Sequence, residues 1–413
     1  MLESIRSHAF FVGNLPPATD LTGLDRARWK MVVEDEKSYG FLCSYFRKSH
    51  VDAMVEAVGQ KRPDFLNAVH HYRLAVDKDI PFSLFDSSKG VLEVLDEYKL
   101  HLVGLHLYSF PLGITLFAIE VDDSGSSLDE LTKAHAKIRE LTSEWDSFSS
   151  AFVDALAPIL ELVPGKNKRD LIARGNKLKL FQILLVDQSE WKDELLYEIA
   201  ACIPVNVVRT THFLAPSDDF YQSMVKENTI APFKDWKSMS MMDSYTALFK
   251  NEGAFDEEKW KRSERNWILS YYQLIYLRVL VQKTFLSSRN DQYRLNQAST
   301  SLIHDLSRME KYYFYDNISY NFLPDMLNKQ IEKGLGIPEE QEELSEQIKE
   351  SESKKMNMIT GIVSAFAVFS IAFDFYGILK AATGCDSAVI PSVIGLIATL
   401  AIVYLVFRLT RRR

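Results

Sequence analysis

The chain has 413 residues and a formal net charge of −8 at pH 7. This length allows a sizeable folded domain together with further segments, while the acidic balance argues against a surface that binds nucleic acid by bulk charge attraction. The three cysteines are too widely spaced for a Cys-x-x-Cys metal motif or a disulfide framework.

Residues 1–250 predict an α/β domain with a central sheet. A helix is predicted over residues 128–141, because apolar residues recur there every three to four positions and Ser127 supplies an N-cap. The N-terminus has early charges and no long apolar leader core, so we expect this domain to be cytosolic. Runs rich in Val, Ile, Phe and Leu between turn residues predict strands over residues 9–12, 100–107, 113–121, 178–186 and 205–210.

Residues 251–355 predict a helical stalk. Apolar side chains recur there at three- and four-residue steps, and the second of the predicted helices runs without interruption over residues 291–333. Gly334 ends that helix. The apolar run 268–286 has the length of a membrane span, but Arg278 near its centre predicts a buried soluble helix instead.

Two apolar runs near the C-terminus, residues 356–379 and 388–407, are each long enough to cross a bilayer, which takes about 20 helical residues. A short outer loop, residues 380–387, joins them, and a basic tail, residues 408–413, follows. Lys and Arg are retained on the cytoplasmic side of membranes. The lysines before the first run and the arginines after the second therefore place both termini in the cytoplasm. The sequence predicts an α+β, multi-pass protein of the inner (cytoplasmic) cell membrane, with the lipid bilayer as a partner.

The first run, residues 356–379, carries its small and polar residues on one helical face, while bulky aromatic residues occupy the other. A small, polar face inside a membrane must meet other helices or water. Several copies with this face turned inward would enclose a narrow channel. The predicted pore-lining residues are Asn357, Thr360, Gly361, Ser364, Ala367, Ile371, Asp374 and Gly377.

Asp374 is the one charged residue of the first run. An ionisable side chain inside a span is costly and marks a functional site by default. Repeated around an oligomer, it would form an acidic ring that attracts cations, so Asp374 is the predicted metal-ion residue. The alternative is that Asp374 lies at the membrane interface and pairs with Lys380.

Segments of the chain resemble the CorA-type metal ion transporter family. The resemblance lies in residues 318–322 (ISYNF), 332–339 (EKGLGIPE) and 353–360 (SKKMNMIT), and in the order of cytosolic domain, stalk and two C-terminal spans. It implies a homopentamer in which the first span lines the pore and Asn357 forms a polar ring at its inner end.

The family's hallmark at the outer end of that helix is Gly-Met-Asn, usually after Tyr. Tyr376 and Gly377 are present here, but Ile378 and Leu379 stand in place of Met and Asn. Leu379 cannot accept hydrogen bonds from the water shell that Mg²⁺ sheds reluctantly. The departure argues against selective magnesium uptake.

Residues 108–117 (YSFPLGITLF), followed by a loop and a helix, are similar to CorA-like proteins associated with type III CRISPR antiviral defence. In that group a nucleotide second messenger, such as an S-adenosylmethionine–AMP conjugate, is thought to act on the membrane protein. The resemblance implies a nucleotide ligand for the cytosolic domain. Such an anion needs nearby cations and aromatic rings, and the candidate residues are Arg209, His212, Trp236 and Lys237.

Three functions remain open: a ligand-gated channel or membrane effector, a constitutive transporter of divalent cations such as Mg²⁺ or Co²⁺, and a membrane-tethered enzyme. The sequence has no Walker, Gly-x-Gly-x-x-Gly or His-Glu-x-x-His motif, so we expect neither an enzyme nor a required cofactor. A divalent cation enters only as the permeant ion. No ligand-like spacing links the histidines His70, His71, His101 and His106.

Overall fold

The computed structural model describes residues 5–16, 19, 21–85, 94–139, 141, 150–163, 177–208, 215–241, 244–251, 256–264, 271–294 and 300–350, and the separate positions 353, 356, 357, 360, 361, 363 and 364. The chain divides into two compact units, Met1–Glu340 and Gln341–Arg413. Each is considered by itself.

Nine strands and eleven helices are bounded within the first unit's described residues. The strands are β1 (Arg6–Asn14), β2 (Lys30–Met31), β3 (His70–Phe85), β4 (Val94–Ser109), β5 (Thr115–Asp122), β6 (Lys179–Val186), β7 (Thr229–Phe233), β8 (Trp236–Met241) and β9 (Ser244–Lys250). The helices are α1 (Glu36–Tyr45), α2 (Lys48–Met54), α3 (Leu128–Arg139), α4 (Ser150–Ala155), α5 (Ala157–Leu160), α6 (Asp193–Ala201), α7 (Asp218–Asn228), α8 (Glu257–Ser263), α9 (Gln273–Arg294), α10 (Thr300–Tyr312) and α11 (Phe322–Gly334).

All nine strands form one sheet in the order β2-β3-β4-β5-β1-β6-β9-β8-β7. Neighbours are antiparallel except β6 and β9, which run parallel. The first strand of the chain therefore lies in the middle of the sheet. There Phe10 is opposite Glu120 of β5 on one side and Phe181 of β6 on the other. Opposed residues point to the same face of a sheet, and successive residues point to opposite faces, so this register assigns side chains to the two faces.

One face, called the α3 face, is mainly apolar. Ala9 and Phe11 of β1 pack there against α3 and α4 in a core that contains Ala134, Ile138 and Phe152. The helix α3 has the predicted apolar stripe, and its first turn has the predicted cap: the backbone N–H of Glu130 donates to Ser127 Oγ at 3.2 Å. Burial of each large apolar side chain contributes roughly 1.5–3 kcal/mol.

The opposite face, called the α9 face, is aromatic and polar. Phe181 stacks on Tyr245 of β9, with ring centroids 5.4 Å apart, and also contacts Tyr276 of α9. The helix α9 is buried along its first turns. Residues 271–286 are therefore a largely buried helical segment, as predicted for the apolar run that contains Arg278.

Arg278 can be buried because three residues outside α9 accept its hydrogen bonds. Its side chain is 1% exposed. It donates to Asn328 Oδ1 at 2.6 Å, to Glu332 Oε1 at 2.9 Å and to the Tyr315 carbonyl at 2.9 Å. A buried guanidinium is tolerated when most of its donors are hydrogen-bonded; here both terminal nitrogens are paired, while Nε has no partner in the described part of the chain. The charge therefore joins α9 to α11.

Two local predictions are wrong. The helix expected without interruption over residues 291–333 is broken at residues 313–321, because Asp325 Oδ1 accepts from the backbone N–H groups of Ile318 and Ser319 and holds them outside a helix. Residues 205–208 form turns rather than a strand, because the Glu198 carboxylate accepts from two backbone N–H groups of that segment.

The first compact unit, Met1–Glu340, contains α9 and α11 together with the sheet. The Gly334–Gly336 segment ends α11 as predicted, with Gly336 at a φ of +69°. Residues 337–350 are again helical.

No helix among the described residues combines the length and the apolar character needed to cross a membrane. The two predicted spans lie outside the described residues, apart from the separate positions that begin at residue 356.

Candidate functional site

The predicted pore residues are only partly described. Asn357, Thr360, Gly361 and Ser364 are helical, and all but the half-buried Gly361 are exposed. Outside the described residues lie the remaining predicted pore and outer-mouth residues, Ala367, Ile371, Asp374, Tyr376 and Gly377.

The structure does not bring Trp236 and Lys237, two of the predicted ligand residues, to one site. They are adjacent on β8, so their side chains point to opposite faces of the sheet. On the α9 face, Trp236 stacks on Tyr272 with centroids 6.0 Å apart. On the α3 face, Lys237 Nζ lies 2.8 Å from Asp193 Oδ1 and 4.6 Å from the centre of the Trp191 ring. Outside the described residues lie the other two ligand candidates, Arg209 and His212.

A cluster of ionisable side chains that the sequence did not predict lies on the α9 face. Four adjacent strands and the residue after α8 supply it. Strand alternation and register bring the side chains together, since Phe10 is opposite Glu120 and His106 is opposite Ala118. We call this group the histidine cluster; it comprises His8, His71, Arg73, His106, Glu120 and Glu264.

Glu120 is the centre of the histidine cluster. Its side chain is 3% exposed. Oε1 lies 3.1 Å from His8 Nε2, while Oε2 lies 2.9 Å from His106 Nε2 and 3.0 Å from an Arg73 terminal nitrogen. Donors from β1, β3 and β4 thus converge on one buried carboxylate of β5. This satisfies the requirement that a buried charge be paired and hydrogen-bonded.

The network continues beyond Glu120 in both directions. On one side, His8 Nδ1 lies 2.8 Å from Glu264 Oε1. On the other, His71 Nε2 lies 2.9 Å from His106 Nδ1. Five ionisable groups therefore form one continuous hydrogen-bonded chain across the sheet.

The first half of this chain is an ion pair. Burial alone would lower the pKa of His8, but hydrogen bonds with Glu120 and Glu264 outweigh it and raise the pKa to about 9. Burial would raise the pKa of Glu120, yet hydrogen bonds from His106 and His8 hold it well below its usual range. At neutral pH His8 is therefore an imidazolium between two carboxylates.

The second half is neutral. Burial lowers the pKa of His106, and its hydrogen bond to Glu120 offsets this only in part. Burial, followed by the neighbouring His106 and Arg73, holds the pKa of His71 well below its usual range. His71 also stacks on Tyr108, with ring centroids 4.3 Å apart.

The histidine cluster ties the sheet to the helical segments that follow it. The Tyr108 hydroxyl accepts a 3.1 Å hydrogen bond from Gln273 Nε2 at the start of α9. At the other end, Glu264 follows α8, and Arg6 of β1 forms a 3.5 Å ion pair with Glu257 of α8. A change in protonation of the cluster would therefore alter the contacts of α8 and α9, which lie before and after residues 265–270.

The signal that could have located the cluster is the presence of charged and imidazole residues inside apolar strands. Glu120 interrupts the run LFAIEVD, and His8 directly precedes AFFV. Such residues are almost never buried unless they are paired. The sequence cannot show which partners are paired, because they come from strands far apart along the chain.

No group of three or more His, Cys, Asp or Glu side chains within the described residues is arranged to hold a metal ion. The chain matches no protein-family model, no curated protein and no solved structure with significant similarity.

Proposed function

We propose that the chain is a CorA-like, oligomeric cation channel or membrane effector of the inner membrane, gated by a small ligand that binds its cytosolic domain. The observation that supports this is the joining of a folded α/β unit to two apolar runs that carry one charged residue, Asp374, between them. Such runs are long enough to span a bilayer.

The described part of the first run supports a pore-facing stripe. Asn357, Gly361 and Ser364 are helical and lie three or four residues apart, so they share one helical face. Small and polar residues of this kind suit contacts between helices or with water. By resemblance, the assembly is a homopentamer with both termini in the cytoplasm.

Gating requires that the ligand bind one state of the assembly more tightly than the other, because only a difference in affinity shifts a conformational equilibrium. A nucleotide second messenger such as the S-adenosylmethionine–AMP conjugate is the proposed ligand. The large sheet packs directly on α9 and α11. We expect a ligand-induced change in this packing to shift these helices and so to reach the helical residues 337–350 that follow them.

The test is cation flux from liposomes that contain the full chain, with the S-adenosylmethionine–AMP conjugate or ATP added on the cytoplasmic side. We expect flux only with the conjugate. Asp374→Asn should lower cation conductance severalfold, since it removes the charge of the proposed ring. Asp386→Asn in the outer loop makes the same chemical change outside the stripe and should leave conductance close to that of the wild type.

Ligand-independent Mg²⁺ or Co²⁺ flux with strong selectivity over Na⁺ would support the alternative, a constitutive divalent-cation transporter. Asn357 is the residue that favours this alternative, whereas Leu379 at the hallmark position opposes it. Equal conductance of the wild type and Asp374→Asn would contradict the acidic ring. Native mass spectrometry of the detergent-solubilised chain should give the mass of five copies.

A further inference from the structure

The partners of the histidine cluster fix where its hydrogens lie. His8 carries a carboxylate on each ring nitrogen, so both nitrogens donate. Glu120 accepts from His106 Nε2, which places the single hydrogen of neutral His106 on that nitrogen. His106 Nδ1 is then an acceptor, and His71 Nε2 must donate to it. The remaining nitrogen of His71, Nδ1, is left as an unprotonated acceptor.

Two nitrogen atoms at this end of the network have no hydrogen-bond partner among the described residues. His71 Nδ1 has no hydrogen-bond partner among the described residues. Arg73 donates to Glu120 through one terminal nitrogen, while its buried Nε finds no partner in the described part of the chain. Its side chain is 41% exposed, so the guanidinium is also reachable from solvent. Because Nε is buried, the part of the guanidinium that solvent reaches is its terminal edge, where Nη1 donates to no described residue. This terminal edge and the basic nitrogen of His71 lie on the same strand face.

His71 and Arg73 are two residues apart on β3, and their side chains point the same way, about 6.6 Å apart at the backbone. A planar guanidinium edge is the group that binds carboxylate and phosphate oxygens with two parallel hydrogen bonds. An oxyanion on the free edge of Arg73 would lie beside His71.

The Arg73–Glu120 pair lies directly over the backbone of Gly104. A Cβ at Gly104 of β4 would lie 3.0 Å from the Leu74 carbonyl oxygen, 3.4 Å from Glu120 Oε2 and 3.5 Å from Arg73 Nε, so a side chain there would press against the pair. The register is irregular on both sides: between Leu102 and Gly104 on β4, and after Ala75 on β3. Bulges and a glycine inside a strand mark places where a strand bends or a ligand approaches the backbone.

We propose that Arg73 and His71 form a binding site for a small oxyanion, such as a phosphate group, and that each binding event transfers one proton from solvent to His71 Nδ1. In the free protein burial, followed by the neighbouring His106 and Arg73 and opposed by Glu120, holds the pKa of His71 well below its usual range, so the imidazole is neutral. A bound dianion reverses the local charge and stabilises the imidazolium, which then donates a second hydrogen bond to the ligand. This site goes beyond the proposed channel function and does not depend on a pore.

The experiment is isothermal titration calorimetry of the full chain in detergent micelles with sulfate, which carries no exchangeable proton of its own near neutral pH. Titrations in Tris and in HEPES separate proton uptake from intrinsic binding heat, because the two buffers release protons with different enthalpies. We expect saturable binding and a heat that differs between the buffers by an amount equal to uptake of about one proton, the number that one His71 can accept.

Arg73→Gln should weaken sulfate binding about tenfold or more, since it removes a charge-assisted fork. His71→Gln should retain binding within a few fold but abolish the buffer dependence of the heat. Lys133→Gln, which removes one positive charge from α3 on the opposite face of the sheet, should behave as the wild type. Arg73→Lys keeps the charge and loses the fork, so it should give intermediate affinity.

Three results would overturn the proposal: no sulfate binding by the wild type at tens of millimolar, wild-type affinity in Arg73→Gln, or identical heats in the two buffers. Circular dichroism of each variant establishes that it is folded. If Arg73→Gln is unfolded, Arg73→Lys decides, and wild-type affinity in that variant counts against the site. Because no flux is measured, failure of this site and failure of the proposed channel are separate outcomes.

Discussion

The two faces of the central sheet are built from different chemistry. The α3 face is mainly an apolar core in which Ile138 and Phe152 are fully buried. The α9 face buries ionised groups, including Arg278 and the His8–Glu120 pair. On this second face stability depends on the protonation of the histidine cluster and on the pairing of each buried charge.

The difference teaches where pH and ligands can act on this protein. Apolar burial responds little to pH, whereas a buried charge links the free energy of unfolding to the protonation state of its partners. The α3 face also contains a buried polar network, in which His135 lies 2.6 Å from Asp123 Oδ2 and 2.9 Å from Gln182 Oε1. These three side chains are almost fully buried, whereas the histidine cluster reaches a half-exposed arginine.

The largest expected effect comes from breaking the charged contact of the α9 face. Arg278→Met keeps the side-chain length but removes the donor of the buried Asn328 amide oxygen and the cationic partner of the Glu332 carboxylate, which keeps only its hydrogen bond from Gln282. Removal of one partner from a buried pair costs about 3–5 kcal/mol, so we expect the free energy of unfolding to fall by that amount. Urea titration followed by tryptophan fluorescence measures it.

Arg28→Met is the matched control, because Arg28 is 52% exposed and its contact with Glu161 is 3.8 Å long. Exposed pairs contribute little, so the free energy of unfolding should change by less than about 0.5 kcal/mol. A neutral or stabilising effect of Arg278→Met would mean that apolar packing alone joins α9 to α11.

A smaller effect should appear as a pH dependence that belongs to His8. Its pKa rises from 6.5 in the unfolded chain to about 9 in the folded protein. Its stabilising contribution, about 3 kcal/mol, is therefore fully present below pH 6.5 and is lost as the pH rises through about 9. We expect the free energy of unfolding of His8→Gln to lack this dependence when it is measured from pH 6 to 10.

His304→Gln provides the comparison, since His304 is exposed on α10. Its profile should follow that of the wild type over the same range. If His8→Gln also follows the wild type, His8 is not the imidazolium between Glu120 and Glu264 that the distances indicate.

The smallest effect is expected on the α3 face. Ile138→Val removes one buried methylene group from α3, and such a change costs about 1 kcal/mol. The loss should be the same at pH 6 and pH 9, because no charge is involved. Ile303→Val on α10, where Ile303 is 41% exposed, is the matched variant and should have almost no effect. A pH-dependent loss for Ile138→Val would erase the distinction between the faces.

The sequence pattern alone predicted the helices and strands in which buried residues recur at regular spacing. The stripe of α3 and its Ser127 cap follow from spacing alone, and the apolar runs that became β1, β5 and β6 were predicted. The strands β7 to β9 were not predicted, because segments such as KSMSM contain none of the β-branched or aromatic residues that are typical of strands. They are held in place by pairing with a strand that was recognised.

The other features that the sequence did not predict depend on contacts between residues far apart along the chain. The break before α11 depends on Asp325 and on the pairing of Ser319 with Phe46, a residue far away along the chain. The histidine cluster likewise requires the strand order β3-β4-β5-β1, which no single segment encodes. The sequence shows no metal-ligand spacing for His71 and His106; in the structure His106 pairs with Glu120 on the neighbouring strand, and His71 pairs with His106.

The central position of β1 has a consequence for synthesis of the chain. Its partner β6 ends only at Val186. At about 5–20 residues per second, the ribosome needs roughly 10–35 s after β1 emerges before β6 is available. During that time one edge of β1 is an open, apolar hydrogen-bonding template, of the kind that recruits nascent-chain chaperones or pairs with another polypeptide. Yield in cells should therefore depend on translation speed before residue 186 more than on speed after it.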